Sequence, residues 1–307
     1  MNIVIERGTV KELGDLPPFS IAIDGFVAGP KIDTENHRYS FDHHANCLRF
    51  CTQASCQQAQ TAILLGLDPE NYTLYLNDCD LDVAMSVWLL QNQERVKEPL
   101  VIKLVNAIGI ADAYAGAINL NGMAKTVEWI AAVELDFKKD KGSYETICSS
   151  NLRHLLDATL RRIDQYVDGE ASIEIAKQEK HTDYKILRNE NNYVVVQSDN
   201  AHIYSTLYSA GFDRIVLVRP LENGSLAVSL AKRSDFVDNF NLIKMYEKLN
   251  EIEPFWGGGS SIGGAPRGPD GTRSKLPLEK IIEVIDSVVL NGSQKPPERE
   301  SLIPRSY

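Results

Sequence analysis

The sequence predicts a two-domain α/β protein, with a mainly parallel sheet covered by helices on both faces, a helical connector, and a second, smaller α/β domain. Three observations carry this reading. The first half alternates short runs rich in aromatic and β-branched residues with helix-like stretches, the pattern of strand, crossover and strand. A charged stretch with no strand-like run, "LRHLLDATLRRIDQYVDGEASIEIAKQEK", falls within the connector expected at about 142–180. Beyond it, strand-like pairs broken by Asn, Glu and Gly read as hairpins. A chain of 307 residues is long for one core, and the expected domains are 1–180, connector included, and 181–307.

In chain order, "FSIAID", "RYSFD" and "YTLYLND" are the expected strands of the first domain, and each stops at an aspartate. "ASCQQAQTAILLGL", "DVAMSVWLLQNQERV", "PLVIKLVNAIGIADAY" and "NGMAKTVEWIAAVEL" are its helices. Ligands of a parallel sheet gather outside the carboxyl ends of its strands, where these aspartates fall. In the second domain, "DYKILRNENNYVVVQS" and "RIVLVRPLENGSLAVSLAKR" read as hairpins on either side of the helical "AHIYSTLYSAG". The helix "FNLIKMYEKLNEI", a glycine-rich loop at 257–264, the helix "LPLEKIIEVIDSVV" and a loosely ordered Pro-rich tail complete it.

Composition narrows the function. Hydrophobic residues at 43% and charged ones at 24% exclude a disordered chain. No apolar run approaches the roughly 20 residues of a spanning helix, so no membrane association is expected. "MNIVIERGTV" has no basic flank before a long apolar core, which points to a cytoplasmic protein. A net charge of −10 argues against long nucleic acid as a partner and leaves a small anionic substrate. Cys47, Cys51 and Cys56 lack the Cys-x-x-Cys spacing of a metal knot and read as reduced thiols.

Four places concentrate hard ligands: Asp24 after "SIAI"; Asp42, His43 and His44 in "YSFDHHANC"; Asp78, Asp80 and Asp82 in "NDCDLD"; and Asp112 in "GIADAY". A single aspartate before a helix is a common N-cap, but three in five residues exceed what capping needs. If Asp24, Asp80, Asp82 and Asp112 converge with His43, each close pair of carboxylates repels by roughly 4 kcal/mol. Two divalent cations balance four carboxylates, and oxygen ligands with an imidazole suit Mn²⁺ or Mg²⁺.

These residues resemble the DHH phosphoesterase family, named for the triplet held here by Asp42, His43 and His44, with "DCDLD" similar to its Asp-x-Asp signature. The resemblance implies a hydrolase in which two Mn²⁺ ions activate a hydroxide for attack on phosphorus. Asp80 and Asp82 would then be ligands of the two metals, Asp24 the carboxylate between them, and His43 and Asp112 further ligands. Asp42 would orient its neighbours, and His44 would face the substrate phosphate. Here the triplet precedes the aspartate pair, the reverse of the usual order. Asn77 and Asp78 occupy the position that often carries histidine, which makes Asp78 a substitute ligand.

The resemblance extends to the second half, where a basic strand end, a helix and a Gly-rich loop would grip the substrate across a cleft. Arg233, Gly257, Gly258, Gly259, Ser260 and Ser261 match that pattern, although Gly-Gly-Gly replaces the family's frequent Gly-Gly-His. Glycines let backbone N–H groups approach an anion, and Arg267, Arg273 and Lys275 follow closely. Trp256 reads equally as a base-stacking platform or as packing the domain interface. His37, His154, His181 and His202 read as structural or surface residues, and the sequon at Asn291 is discounted. The expected substrate is a short oligonucleotide, a dinucleotide or a nucleoside bisphosphate. Inorganic pyrophosphate or polyphosphate, and a non-catalytic nucleotide-binding regulator, are the alternatives, and the sequence is compatible with a homo-oligomer in each case.

Overall fold

The computed structural model describes residues 1–48, 50–114, 116–141, 149–177, 183–199, 203–268 and 272–292. His181, His202 and the tail from 293 lie outside them, as does the end of the sequon. The chain is mixed α/β and divides into unit 1, Met1–His181, and unit 2, Thr182–Tyr307. No helix among the described residues is long and apolar enough to cross a membrane.

Unit 1 holds strands β1 (Asn2–Ile5), β2 (Ser20–Ile23), β3 (Lys31–Asp33), β4 (Arg38–Phe41) and β5 (Thr73–Leu76). Its helices are α1 (Ser55–Leu64), α2 (Leu81–Gln91), α3 (Pro99–Tyr114), α4 (Ala124–Lys141), α5 (Ser149–Val167) and α6 (Ser172–Lys177). The sheet order is β1-β5-β2-β4-β3, with β3 alone antiparallel to its neighbour. In register, Ile5, Leu76, Ile23 and Phe41 form one row at the carboxyl edge. Asp24, Asp42 and Asn77 therefore leave three adjacent strands at one level.

The two faces of this sheet are covered unequally. Ile21, Ile23, Phe41, Leu74 and Leu76 point into a core shared with buried residues of the helices, including Trp88, Leu104, Ile130 and Leu156. The opposite parity, Ala22 and Tyr75, meets Leu13, Leu16, Phe26 and Val27, which belong to no α-helix. The physical reason is the winding. The β1–β2 and β4–β5 connections run in opposite directions across the sheet, so right-handed crossovers put them on opposite faces. The first carries only the 3₁₀ turn Leu13–Asp15, whereas the second carries α1, on whose side every later α-helix of unit 1 packs.

Two features differ from the sequence reading. The strand β1 was not expected; it is a short edge strand whose Ile3 and Ile5 face the helical core. The supposed connector is largely core: Leu152, Leu155, Leu156 and Ile163 of α5 are fully buried, and Trp88 Nε1 donates to Asp164 Oδ1 at 2.7 Å.

Unit 2 holds β6 (Lys185–Glu190), β7 (Tyr193–Gln197), α7 (Tyr204–Ser209), β8 (Arg214–Pro220), β9 (Leu226–Lys232), α8 (Leu242–Asn250), β10 (Gly257–Gly258), β11 (Ile262–Gly264) and α9 (Leu278–Gly292). The sheet runs β10-β11-β9-β8-β7-β6, with β6/β7, β8/β9 and β10/β11 as antiparallel hairpins, β11 antiparallel to β9 and β7 parallel to β8. The helices α8 and α9 bury one apolar face against it, through Leu242, Met245, Leu249, Ile281 and Ile285. The glycine-rich segment is a short β-hairpin rather than an open loop, with β11 paired to β9. Glycine is needed there sterically: a Cβ on Gly264 would lie 2.1 Å from Val228 O.

Candidate metal centre

Each site residue is placed by the end of a regular element. Asp24 follows β2 in the left-handed region, at φ 51°, and Gly25 continues at φ 86°. Such a turn is sparsely populated by residues with a Cβ, and aspartate tolerates it better than most. It turns the carboxylate off the strand end, while Asp24 N still donates to Phe41 O at 2.8 Å. Asp42 and His43 follow β4 directly and are fully buried.

Asp42 is the scaffold. Its Oδ2 accepts from Gly29 N at 2.7 Å and Ala45 N at 3.3 Å; its Oδ1 accepts from His44 N at 3.0 Å and lies 3.1 Å from His44 Nδ1. Both oxygens are thus engaged, which suits an orienting residue. Burial opposes its ionisation, but the bonds from His44 and Gly29 prevail and hold the carboxyl down to about 2.

His43 is the meeting point. Its Nε2 lies 2.7 Å from Asp112 Oδ2 and 3.5 Å from Asp24 Oδ1. Neither ring nitrogen has an aligned hydrogen-bond partner among the described residues. A buried polar atom without one is costly, so close approach to carboxylates without hydrogen-bond alignment suits atoms aimed at a common cation. Asp112 lies in the last turn of α3, where the helix dipole disfavours a negative charge, and a cation beside it removes that conflict.

His44 differs from its neighbour. Its side chain is 42% exposed, its ring stands edge-on to that of His43 with centroids 4.5 Å apart, and its Nδ1 lies 3.3 Å from Asp24 Oδ1. Two groups of ligand atoms, each within 4.8 Å of one another, result: Asp24, His43 and His44, and His43, Asp82 and Asp112. His43 belongs to both. The donor set consists of carboxylate oxygens and imidazole nitrogens, the kind that can hold a divalent cation.

"DCDLD" divides its roles. Asp80 is the N-cap of α2, its Oδ1 accepting from Val83 N at 2.9 Å. Asp82, in the first turn of α2, is buried and accepts from Ser55 N at 2.8 Å and Cys56 N at 3.0 Å. Asp78 turns back on its own chain, accepting from Cys79 N at 2.6 Å. Neither Asp78 nor Asp80 belongs to the two compact groups. Burial, then the charges of Asp24 and Asp112, push the Asp82 carboxyl up to about 7 despite its bonds from Cys56. Burial and the same two charges, followed by Asp78 and Asp82, push Asp80 up as well.

Ser55 is the contact that sequence reading missed. Its Oγ lies 2.9 Å from Asp24 Oδ1 and 2.9 Å from Phe41 O. A signal existed: α1 begins after Ala54, whose side chain cannot cap a helix, so an acceptor had to come from elsewhere. Among the described residues, Cys56 and Cys79 are buried, Cys47 is half-buried and Cys51 exposed, each as a free thiol. Burial pushes the thiols of Cys56 and Cys79 well up, so both are inert.

In unit 2, Arg233 follows β9 beside the glycine hairpin, because Lys232 N donates to Ser261 O at 2.9 Å. Its guanidinium is engaged within the unit: Nε is 2.8 Å from Asp213 Oδ1, Nη2 donates to Tyr208 O, and the group lies over the Tyr208 ring. Gly257 and Gly258 form β10, and Gly259, Ser260 and Ser261 make the connection to β11. The stacking alternative for Trp256 is corrected. Trp256 is buried in the unit 2 core, with Nε1 donating to Glu253 Oε2 at 2.9 Å. Among the remaining histidines, His154 is exposed, and His37 is exposed with its ring stacked on Phe19 at 4.6 Å.

The chain matches no protein-family model and no curated protein.

Proposed function

We propose that the protein is a metal-dependent hydrolase of small phosphorylated substrates, with Mn²⁺ as the working ion and Mg²⁺ as a substitute. The observation that carries this is the buried meeting of His43 with Asp24, Asp82 and Asp112 beyond the carboxyl ends of parallel strands. Two divalent cations, when bound, supply Lewis acidity toward phosphoryl oxygens and a water acidic enough to serve as nucleophile near neutral pH. His43, Asp82 and Asp112 would hold one; Asp24 and His44, beside the same imidazole, would hold the other. Asp42 fixes the His44 ring through Nδ1, so Nε2 of His44, the most exposed of the group, is the one nitrogen left to meet either the second cation or a substrate phosphoryl oxygen.

The resemblance to DHH phosphoesterases supports the same reading. On that analogy alone, Arg233 and residues 257–261 are assigned to the distal part of the substrate. Short oligonucleotides, dinucleotides and nucleoside bisphosphates remain the leading substrates. Inorganic pyrophosphate is the second reading, and one observation favours it: Trp256 is buried, so no tryptophan beside the glycines offers a base a stacking surface.

Chelator-stripped protein resupplied with Mn²⁺ is expected to hydrolyse at least one member of a set comprising pyrophosphate, nucleoside bisphosphates, cyclic and linear dinucleotides, and short oligonucleotides. Phosphate release measured against nucleotide release distinguishes anhydride, monoester and diester cleavage. Nucleotide binding with no turnover in any divalent ion contradicts the proposal and favours the regulator.

A further inference from the structure

Three elements of the site meet at Ser55, and we infer that it is a positioning residue for the carboxylates of Asp24 and Asp82. This rests on the metal-centre reading above. Ser55 is 0% exposed, and its two polar groups act on different acids. The hydroxyl is 2.9 Å from Asp24 Oδ1, and the backbone N–H donates to Asp82 Oδ2 at 2.8 Å. The same hydroxyl is 2.9 Å from Phe41 O, the last carbonyl of β4 before Asp42 and His43. One side chain therefore ties the residue after β2, the end of β4 and the start of α1 to one another, while its backbone holds the first turn of α2.

A hydroxyl has a single hydrogen, so it cannot fully serve both Asp24 and Phe41 O. An ionised carboxylate is the stronger acceptor, and the charge-assisted bond goes to Asp24 Oδ1. That restrains the rotation of a carboxylate on a backbone already turned to φ 51°, and holds in place Oδ1, the oxygen that also faces His43 Nε2 and His44 Nδ1. Asp82 is restrained differently. It caps α1 from 27 residues downstream by accepting from Ser55 N, and from Cys56 N at 3.0 Å, so it cannot swing away without uncapping the helix. Groups that orient ligands in this way typically matter 10–100-fold to metal affinity.

The test separates hydroxyl from backbone. Ser55→Ala keeps both N–H bonds to Asp82 and removes only the oxygen facing Asp24. It is expected to weaken Mn²⁺ binding to the stripped protein by about 10–100-fold, read from the free-ion electron paramagnetic resonance signal rather than from turnover. Ser55→Thr keeps the hydroxyl and is expected to restore wild-type affinity. Because Ser55 acts on the cation through Asp24, adding Ser55→Ala to Asp24→Asn should cost no further affinity, whereas a general packing role would add its own loss. Wild-type affinity in Ser55→Ala overturns the inference while leaving the metal centre intact; a wild-type protein that binds no Mn²⁺ overturns both. Should Ser55→Ala fail to fold, Ser55→Thr decides: a folded threonine variant with affinity reduced about tenfold or more overturns the positioning role.

Discussion

His43→Ala is expected to abolish Mn²⁺-dependent hydrolysis, with a loss well beyond the about 100-fold that removal of an outer-shell partner costs. The size follows from position. His43 belongs to both candidate ligand groups, so its loss leaves each of them one donor short. The fold should survive, because the ring has no aligned hydrogen-bond partner among the described residues and no backbone group depends on it. Near-ultraviolet circular dichroism and the urea midpoint, measured beside kcat, check both halves of the expectation. Asp42→Ala, by contrast, should disturb structure as well as rate, since it strands the N–H groups of Gly29, His44 and Ala45.

Asp24→Asn is expected to inactivate the protein while making its metal-free form more stable, by on the order of 2 kcal/mol. Asp24 is the largest charge contribution raising both Asp80 and Asp82, so removing its charge relieves two neighbours at once. Asparagine tolerates the left-handed backbone at this position and keeps an oxygen for the Ser55 hydroxyl. The pH dependence follows from the same charges. With its carboxyl pushed up to about 7, folded Asp82 binds a proton more tightly than it does in the unfolded chain, where its pKa is about 3.9. Stability that this group contributes at acid pH is therefore lost as pH rises through the window from about 4 to 7, and the curve flattens above it. Urea unfolding in chelator at pH 5 and pH 8 should show that loss in the wild type and a smaller one in Asp24→Asn. Saturating Mn²⁺ at pH 8 should reverse the order of the two proteins. A metal-free Asp24→Asn less stable than wild type at pH 8 contradicts the assignment.

The aspartates that end strands and the Asp-His-His triplet were legible because chemistry and secondary structure change together there: an apolar run stops and ligands begin. That Asp24, His43, Asp82 and Asp112 lie close together could be supposed from charge balance, but the pairing that achieves it, β2 between β4 and β5, is a tertiary fact. The division of labour within "DCDLD" was not legible. Alternation suggested carboxylates on one side of an extended segment, but the helix begins at Leu81, so Asp80 caps α2 while Asp82 reaches α1. Ser55 was overlooked because a serine at a helix start is ordinary, and its importance depends on two acids distant in sequence. In unit 2, "WGGGSSIGG" reads as an anion-binding loop by composition alone. Its placement beside β9 gives the glycines and Trp256 packing duties that composition does not reveal.

The most direct measurement is a Mn²⁺ titration of chelator-stripped protein, followed by the free-ion electron paramagnetic resonance signal, in wild type and His43→Ala side by side. The expected result is uptake of roughly two ions per chain by the wild type, as a dinuclear site requires, with most of that uptake lost in the variant. A wild type that leaves the free-ion signal undiminished, or a variant that takes up Mn²⁺ as the wild type does, would contradict the assignment of a metal centre at His43.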